Sequence, residues 1–288
     1  MEYLLHILII AGIYVILSMS LNLIVGYTGL AALGHAAFSC VGAYVSALLA
    51  LNFGVSPWLG IVAAAIGATV VGLAISIPAL RLRGDYLALA TLGFAVIVYS
   101  IAKNWVDLTR GPLGLPGIPS FDLFGYSITG GWSFLLIVLA VILVTTLVMK
   151  RVVGSPYGLV LRGIREEEVA TATMGKNVER YKIAVFGVGA FFAGMAGSLY
   201  AHYISFIDPS SFTIMESITI LLMVVFGGMG TIRGSFVGAI ILVVLPELLR
   251  FVGLPSSVAA PLRQMIYGLL LVVLMLKRPQ GILGKYRF

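Results

Sequence analysis

The chain has 288 residues, of which 60% are hydrophobic and 10% charged, with a formal net charge of +7 at pH 7. Soluble domains carry about 25% charged residues. This composition, with a mean hydropathy of +1.10, therefore excludes a soluble protein and predicts a single all-α transmembrane domain over 1–288. One cysteine and three histidines, in no CxxC or HExxH spacing, exclude an internal disulfide and argue against a metal site.

Nine apolar segments follow one another, at roughly 3–25, 30–51, 57–79, 86–102, 132–150, 183–204, 214–231, 234–250 and 262–276. About 20 apolar residues cross a bilayer as a helix, and helices alone satisfy their own backbone in lipid. The reading is a helix bundle of eight or nine membrane segments, with the fourth, seventh and ninth short, tilted or broken. The first segment has spanning length and no basic residue before it, so it reads as a span and not a cleaved signal. Between the fourth and fifth segments, residues 103–131 contain RGPLGLPGIP (110–119), whose prolines and glycines predict a folded, irregular loop.

The longest polar run is 151–182. It carries Arg151, Arg162, Arg165, Lys176, Arg180 and Lys182 against Glu166, Glu167, Glu168 and Glu179. Its middle has helix-forming composition, and Leu161, Ile164 and Ala172 are expected to share a face, with the glutamates at a helix N-terminus. Placing this run inside puts 14 of the 18 Lys and Arg residues inside, among them Arg81, Arg83, Arg233, Lys277, Arg278, Lys285 and Arg287. By the positive-inside rule this predicts an outside N-terminus and an inside C-terminus. The same rule accounts for the net charge, whose residues are not interleaved with aromatics as a nucleic-acid surface would be.

Small residues recur every four positions at Gly60, Ala64, Ala68, Gly72 and Ser76, at Gly189, Ala193, Gly197 and Ala201, and at Gly230, Gly234 and Gly238. Such stripes let helix backbones approach closely in lipid. Two glycine-rich stretches, GLAALGHAAFSCVGAY (29–44) and VVFGGMGTIRGSFVGA (224–239), are places for a helix to unwind. Gly34, His35, Gly42, Gly227, Gly228 and Gly230 are therefore candidates for the translocation path or its gate. His35 reads first as a hydrogen-bonded structural histidine. Glu216 begins the seventh segment, Glu247 at the end of the eighth reads as a local pair with Arg250, and Asp85 reads as a surface ion pair beside Arg81 and Arg83. No GxxxxGK[ST] loop is present, so the chain has no route to ATP hydrolysis of its own and reads as a transport component, not an enzyme.

These stretches, together with LRLRGDYLALATLGF (80–94), GPLGLPGIP (111–119), the run 158–201 and KRPQGIL (277–283), resemble the permease subunits of bacterial and archaeal ABC importers for branched-chain amino acids, the larger of the two permease types. The resemblance implies a multi-pass subunit of the cell membrane paired with a second, homologous permease. It also implies two ATPase subunits on the cytoplasmic side, which hold the ATP and Mg²⁺, and a solute-binding protein outside; this chain would hold no cofactor. Glu168, Val169, Ala170 and Gly175 match the E-x-A-x-x-x-x-G core of the family's coupling helix, with Thr171 and Thr173 departing from it; Arg165 and Glu167 flank it. A path for Leu, Ile or Val is expected to be apolar and roomy, without a fixed charge pair. Permeases for urea, short amides or other amino acids, and an ATP-independent channel, remain open on the sequence.

Overall fold

The computed structural model describes residues 2–79, 82, 84–123, 126–127, 131–250, 256–278 and 280–284. Arg81, Arg83, Lys285 and Arg287, used in the charge count, lie outside the described residues.

Each predicted apolar segment is helical over most of its length, with 30–34 and 228–231 outside the helices. In chain order these are α1 (Glu2–Asn22), continued by a π-helical turn Leu23–Tyr27, α2 (His35–Phe53), α3 (Pro57–Ala79), α4 (Asp85–Asn104), the one-turn α5 (Val106–Thr109) and α6 (Gly131–Gly154). The polar run forms α7 (Pro156–Glu166) and α8 (Glu168–Thr173). Then come α9 (Val178–Ile204), α10 (Ile214–Gly227), α11 (Ile232–Arg250) and α12 (Ser256–Lys277). Among the described residues, seven helices are long and apolar enough to cross a membrane: α1 with its π turn, α2, α3, α4, α6, α9, and α10 with the 3-10 turn Pro209–Phe212 before it. The chain is thus a multi-pass membrane protein built from helices. Among the described residues the β-structure amounts to two short pairs, β1 (Leu115–Pro116) with β4 (Phe206–Ile207) and β2 (Asp122–Leu123) with β3 (Tyr126–Ser127).

α1, α2 and α9 are the most buried of the spans. Small residues explain how α9 packs against both α2 and α3. A Cβ on Gly194 would lie 2.5 Å from the Ala68 side chain and 2.6 Å from the Ala64 carbonyl, and one on Gly197 would lie 2.0 Å from the Ser39 carbonyl. Both stripes therefore sit at backbone-to-backbone contacts, where any larger side chain would push the helices apart. Outside this centre the polarity is reversed relative to a soluble protein: Leu59, Val62, Ile66 and Val70 on α3 and Leu136, Leu139, Leu143 and Leu147 on α6 are exposed. Such rows suit lipid tails.

Hydrogen bonds identify the two ends of the bundle. At one end, His6 of α1 meets Tyr203 of α9 at 2.9 Å, and the 103–131 loop is fixed to α9 by Ile118 N–H donating to the Ser205 carbonyl. The expected irregular loop is present: Ile118 and Phe121 are fully buried, and His202 bridges the Pro119 carbonyl (2.6 Å) and Ser46 (2.7 Å). At the other end lie α7, α8 and the irregular segment 280–284, whose Ile282 and Leu283 N–H groups donate to the Phe226 and Gly227 carbonyls at the end of α10.

Candidate functional site

The polar run differs from the single helix expected of it. Pro156 occupies the first turn of α7, where its missing N–H costs nothing, and Leu161 and Ile164 are buried beneath the helix. The helix stops at Glu167, which is extended (φ −153°, ψ 100°) and begins α8 as its N-cap. Ala172 is consequently exposed. Thr171 is the buried residue of α8, its hydroxyl donating back to the Glu167 carbonyl at 3.0 Å. Glu168 stands in the first turn of α8, as the dipole favours, whereas Glu166 closes α7. Gly175, at φ +79°, ends α8 in a conformation that side-chain-bearing residues rarely adopt.

Three contacts tie this element to the bundle. The Arg165 guanidinium donates to the Gly26 carbonyl in the π turn that ends α1. Lys182, expected in the loop, belongs to α9; its ammonium, with the side chain 6% exposed, pairs with Glu168 at 2.7 Å. Tyr157 packs its ring at a tilt against Tyr181 and donates to its carbonyl at 3.1 Å; burial, then the neighbouring phenol, pushes its pKa up to about 12. Between α7, α8 and residues 28–31 lies a cavity of about 270 Å³, lined among others by Arg165, Glu167, Glu168 and Lys182. On the outer side of the element Val169 and Met174 are 60% and 78% exposed, and Glu167 and Ala170 are exposed with them. The predicted coupling residues are therefore brought together as anchors (Arg165, Glu168), a break (Glu167), an exposed apolar knob (Val169, Ala170) and a terminator (Gly175).

The candidate path residues occupy tight packing. α2 begins only at His35, after an irregular stretch 29–34. His35 is fully buried and meets Ser20 of α1 at 2.7 Å, which is about 10 Å inward from the Tyr27 end at 1.5 Å per residue. The chain after α1 thus turns back into the bundle before it becomes helical. A Cβ on Gly34 would lie 2.2 Å from the Thr91 carbonyl, and one on Gly42 2.3 Å from the Gly194 carbonyl. The helix break expected in 224–239 is present between α10 and α11, with Gly228 at φ +115°, but protein fills it. Asn22, buried in α1, accepts from Gly230 N–H (2.9 Å) and donates to the Thr231 carbonyl (2.9 Å) and Ser235 (2.8 Å), and the C-terminal segment packs on Gly227 and Gly228. None of Gly34, His35, Gly42, Gly227, Gly228 and Gly230 is among the residues lining the three cavities described here.

Two further cavities, each of about 180 Å³, share the Glu216 carboxylate at the start of the seventh apolar segment. Tyr14 of α1 donates to Glu216 of α10. The pair lies between a cavity bounded by α1, α2, α9 and α10 and a second bounded by α1, α10, α11 and α12. Tyr14 is twelve residues from Glu2, or about 18 Å along the axis, near the middle of a hydrocarbon core about 30 Å thick. α10 begins at this depth because Thr213 and the 3-10 turn Pro209–Phe212 precede it. Glu216 lines both cavities, and Glu247 lines the second as well. The signal was present in the sequence, since a carboxylate inside a spanning segment is a functional residue by default.

The chain matches the family described as "Branched-chain amino acid transport system / permease component" over residues 3–275. Among curated relatives, the "High-affinity branched-chain amino acid transport system permease protein LivM" of Escherichia coli is 37% identical, over 96% of this chain and 68% of the relative. The "Probable branched-chain amino acid transport permease protein LivM" of Methanocaldococcus jannaschii is 28% identical, over 94% of this chain and 90% of its own length. The "High-affinity branched-chain amino acid transport system permease protein LivH" of Salmonella typhimurium is 26% identical, over 94% and 91%. No solved structure is matched at the same stringency. An all-helical multi-pass bundle, a family match along almost the whole chain and this identity agree: the chain belongs to the permease components of branched-chain amino acid transport systems.

Proposed function

We propose that this chain is the transmembrane permease subunit of an ATP-driven importer in the cell membrane of a bacterium or archaeon. It forms the path for Leu, Ile and Val together with a second permease of the same family. Two ATPase subunits holding ATP and Mg²⁺ dock on α7–α8, and a solute-binding protein delivers substrate at the 103–131 end. The N-terminus then lies outside, and the C-terminus lies with α7–α8 in the cytoplasm. The observation that carries this reading is the build of α7–α8: apolar Val169 and Met174 stand exposed on α8 and its C-cap, while Arg165 and Glu168 fasten the element to the ends of α1 and α9. A force applied to the knob reaches the spans through those two contacts. Matches to both LivM-named and LivH-named proteins support a pairing of two related permeases.

Reconstitution in proteoliposomes with the second permease and the ATPases tests the reading. Labelled leucine is expected to enter only with ATP on the ATPase side, and Gly175→Pro or Glu168→Arg is expected to uncouple hydrolysis from uptake. A Thr173→Cys label is expected to react only from the cytoplasmic side. Uptake indifferent to nucleotide, or labelling from outside, refutes it. Urea or short amides competing as well as leucine would move the substrate class.

A further inference from the structure

The three tryptophans of the chain mark one level of the bundle. Trp58 is the second residue of α3, Trp132 the second residue of α6, and Trp105 directly follows α4. All three are exposed. They lie at the end that carries the 103–131 loop, where the Trp58 indole N–H donates to the Asp122 carbonyl at 2.7 Å. Tryptophan gathers at the headgroup level of a bilayer, where its ring meets hydrocarbon and its N–H meets polar groups. α4 has 20 residues, which span about 30 Å, the full thickness of the hydrocarbon core. The residues that follow it therefore stand in the headgroup layer.

Those residues form a pinned corner. Thr109 is buried; its hydroxyl donates to the Ala102 carbonyl at 2.7 Å and accepts from Gly111 N–H at 3.2 Å. The turn folds back over the end of α4, so that a Cβ on Gly111 would lie 2.7 Å from the Lys103 carbonyl. Lys103 and Arg110 are thus brought to one corner, both of them exposed. Lys103 stands over the Tyr99 ring at 5.7 Å. Among the described residues the Arg110 guanidinium has no hydrogen bond or ion pair, and Asp107, the carboxylate of this turn, pairs with neither cation. Arg110 also holds φ +57°, a left-handed backbone that bears a cost for any residue with a side chain and that clusters at functional sites. Beside the two cations Trp105 and Leu113 are 54% and 80% exposed.

Two cations next to bare apolar side chains could meet an acidic protein or a lipid, and the level decides between them. In the headgroup layer the apolar groups face acyl chains and the cations face phosphates. We infer that Lys103 and Arg110 bind the phosphate of an anionic phospholipid, with Trp105 and Leu113 against its glycerol and upper acyl chains. A choline lipid brings a cation of its own to the two already there and binds less well. The site requires only that the chain spans a membrane, so it stands independently of the importer reading.

The test is native mass spectrometry of the full-length protein, with the subunits that co-purify, titrated with phosphatidylglycerol or phosphatidylcholine. Wild type is expected to retain phosphatidylglycerol in preference. Lys103→Gln with Arg110→Gln should weaken that binding by about tenfold or more and leave phosphatidylcholine unchanged. Arg110→Gly suits the left-handed backbone. It should match or exceed the wild-type melting temperature in phosphatidylcholine nanodiscs, yet lose part of the rise that phosphatidylglycerol gives wild type. A residue serving the fold alone would not separate these two readouts, and this single variant carries the comparison where the double variant fails to assemble. Equal retention of the two lipids by wild type, or an undiminished preference in the variants, overturns the inference. So does equal stabilisation by glycerol 3-phosphate, which has the charge without the tails. Loss of solute-binding-protein affinity in the double variant with unchanged lipid preference assigns the corner to a protein and overturns it as well.

Discussion

Asn22 is a single side chain on which two halves of the bundle depend, and its replacement gives the sharpest test of how they are joined. It is 1% exposed and makes three hydrogen bonds to the break between α10 and α11, at 2.9, 2.9 and 2.8 Å. Hydrogen bonds between membrane helices average about 0.6 kcal/mol, so three are worth about 2 kcal/mol. In Asn22→Ala the Gly230 N–H also loses its acceptor inside the protein, which adds about 1–3 kcal/mol. The expected loss is about 3–5 kcal/mol, or a fall in melting temperature on the order of 5–8 °C for a chain of this size. Gly26→Ala should act on the same knot from the other side. Its Cβ would lie 1.7 Å from Asn22 Oδ1 and 2.6 Å from the Gly230 nitrogen, so the amide must leave its partners. Thermal unfolding of the purified complex, with both single variants and the double, measures this. The double variant is expected to cost clearly less than the sum of the singles, because both remove the same bonds. Asn22→Ala melting with wild type, or two effects that simply add, would refute the linkage.

Three further outcomes are expected. Val169→Glu lies on an exposed site and should leave stability within about 0.5 kcal/mol while abolishing ATP-coupled uptake, read as ATPase rate against transport rate. Glu168→Ala leaves the nearly buried Lys182 ammonium unpaired and should destabilise by roughly 3 kcal/mol, the low end for a pair whose acidic partner is partly exposed. Adding Lys182→Met should restore most of that stability, since an apolar replacement of both partners leaves no charge to bury; no recovery in the melting curve would count against the pairing. The Tyr157 pKa is raised, so the folded state favours the neutral phenol. Its contribution is therefore complete below pH 10 and lost between pH 10 and about 12, as the unfolded chain ionises first. Tyr157→Phe should show a shallower decline in stability over that window.

The helices were legible because a helix crosses lipid with about 20 apolar residues and satisfies its own backbone: each of the nine apolar segments is mostly helical, and 110–119 is the irregular stretch its prolines and glycines require. The four-residue stripes on α3 and α9 predicted close helix contact and mark where it occurs, since only small residues permit backbones within van der Waals reach. Family membership was equally legible, because several long motifs stood in one order along the chain. What the sequence alone left undecided was partnership at long range. Nothing in the residues around position 167 says that the helix breaks there, and only the fold shows the break bringing Thr171 against Gly163 across two helices. The glycines of 227–230 announced an unwound segment, but only the fold shows it filled by Asn22 from two hundred residues earlier. Glu216 and Tyr14 are equally distant in the chain. Local pattern fixes which segments are helical and apolar; which polar groups face one another across the bundle is set by helix packing, and so by the tertiary structure.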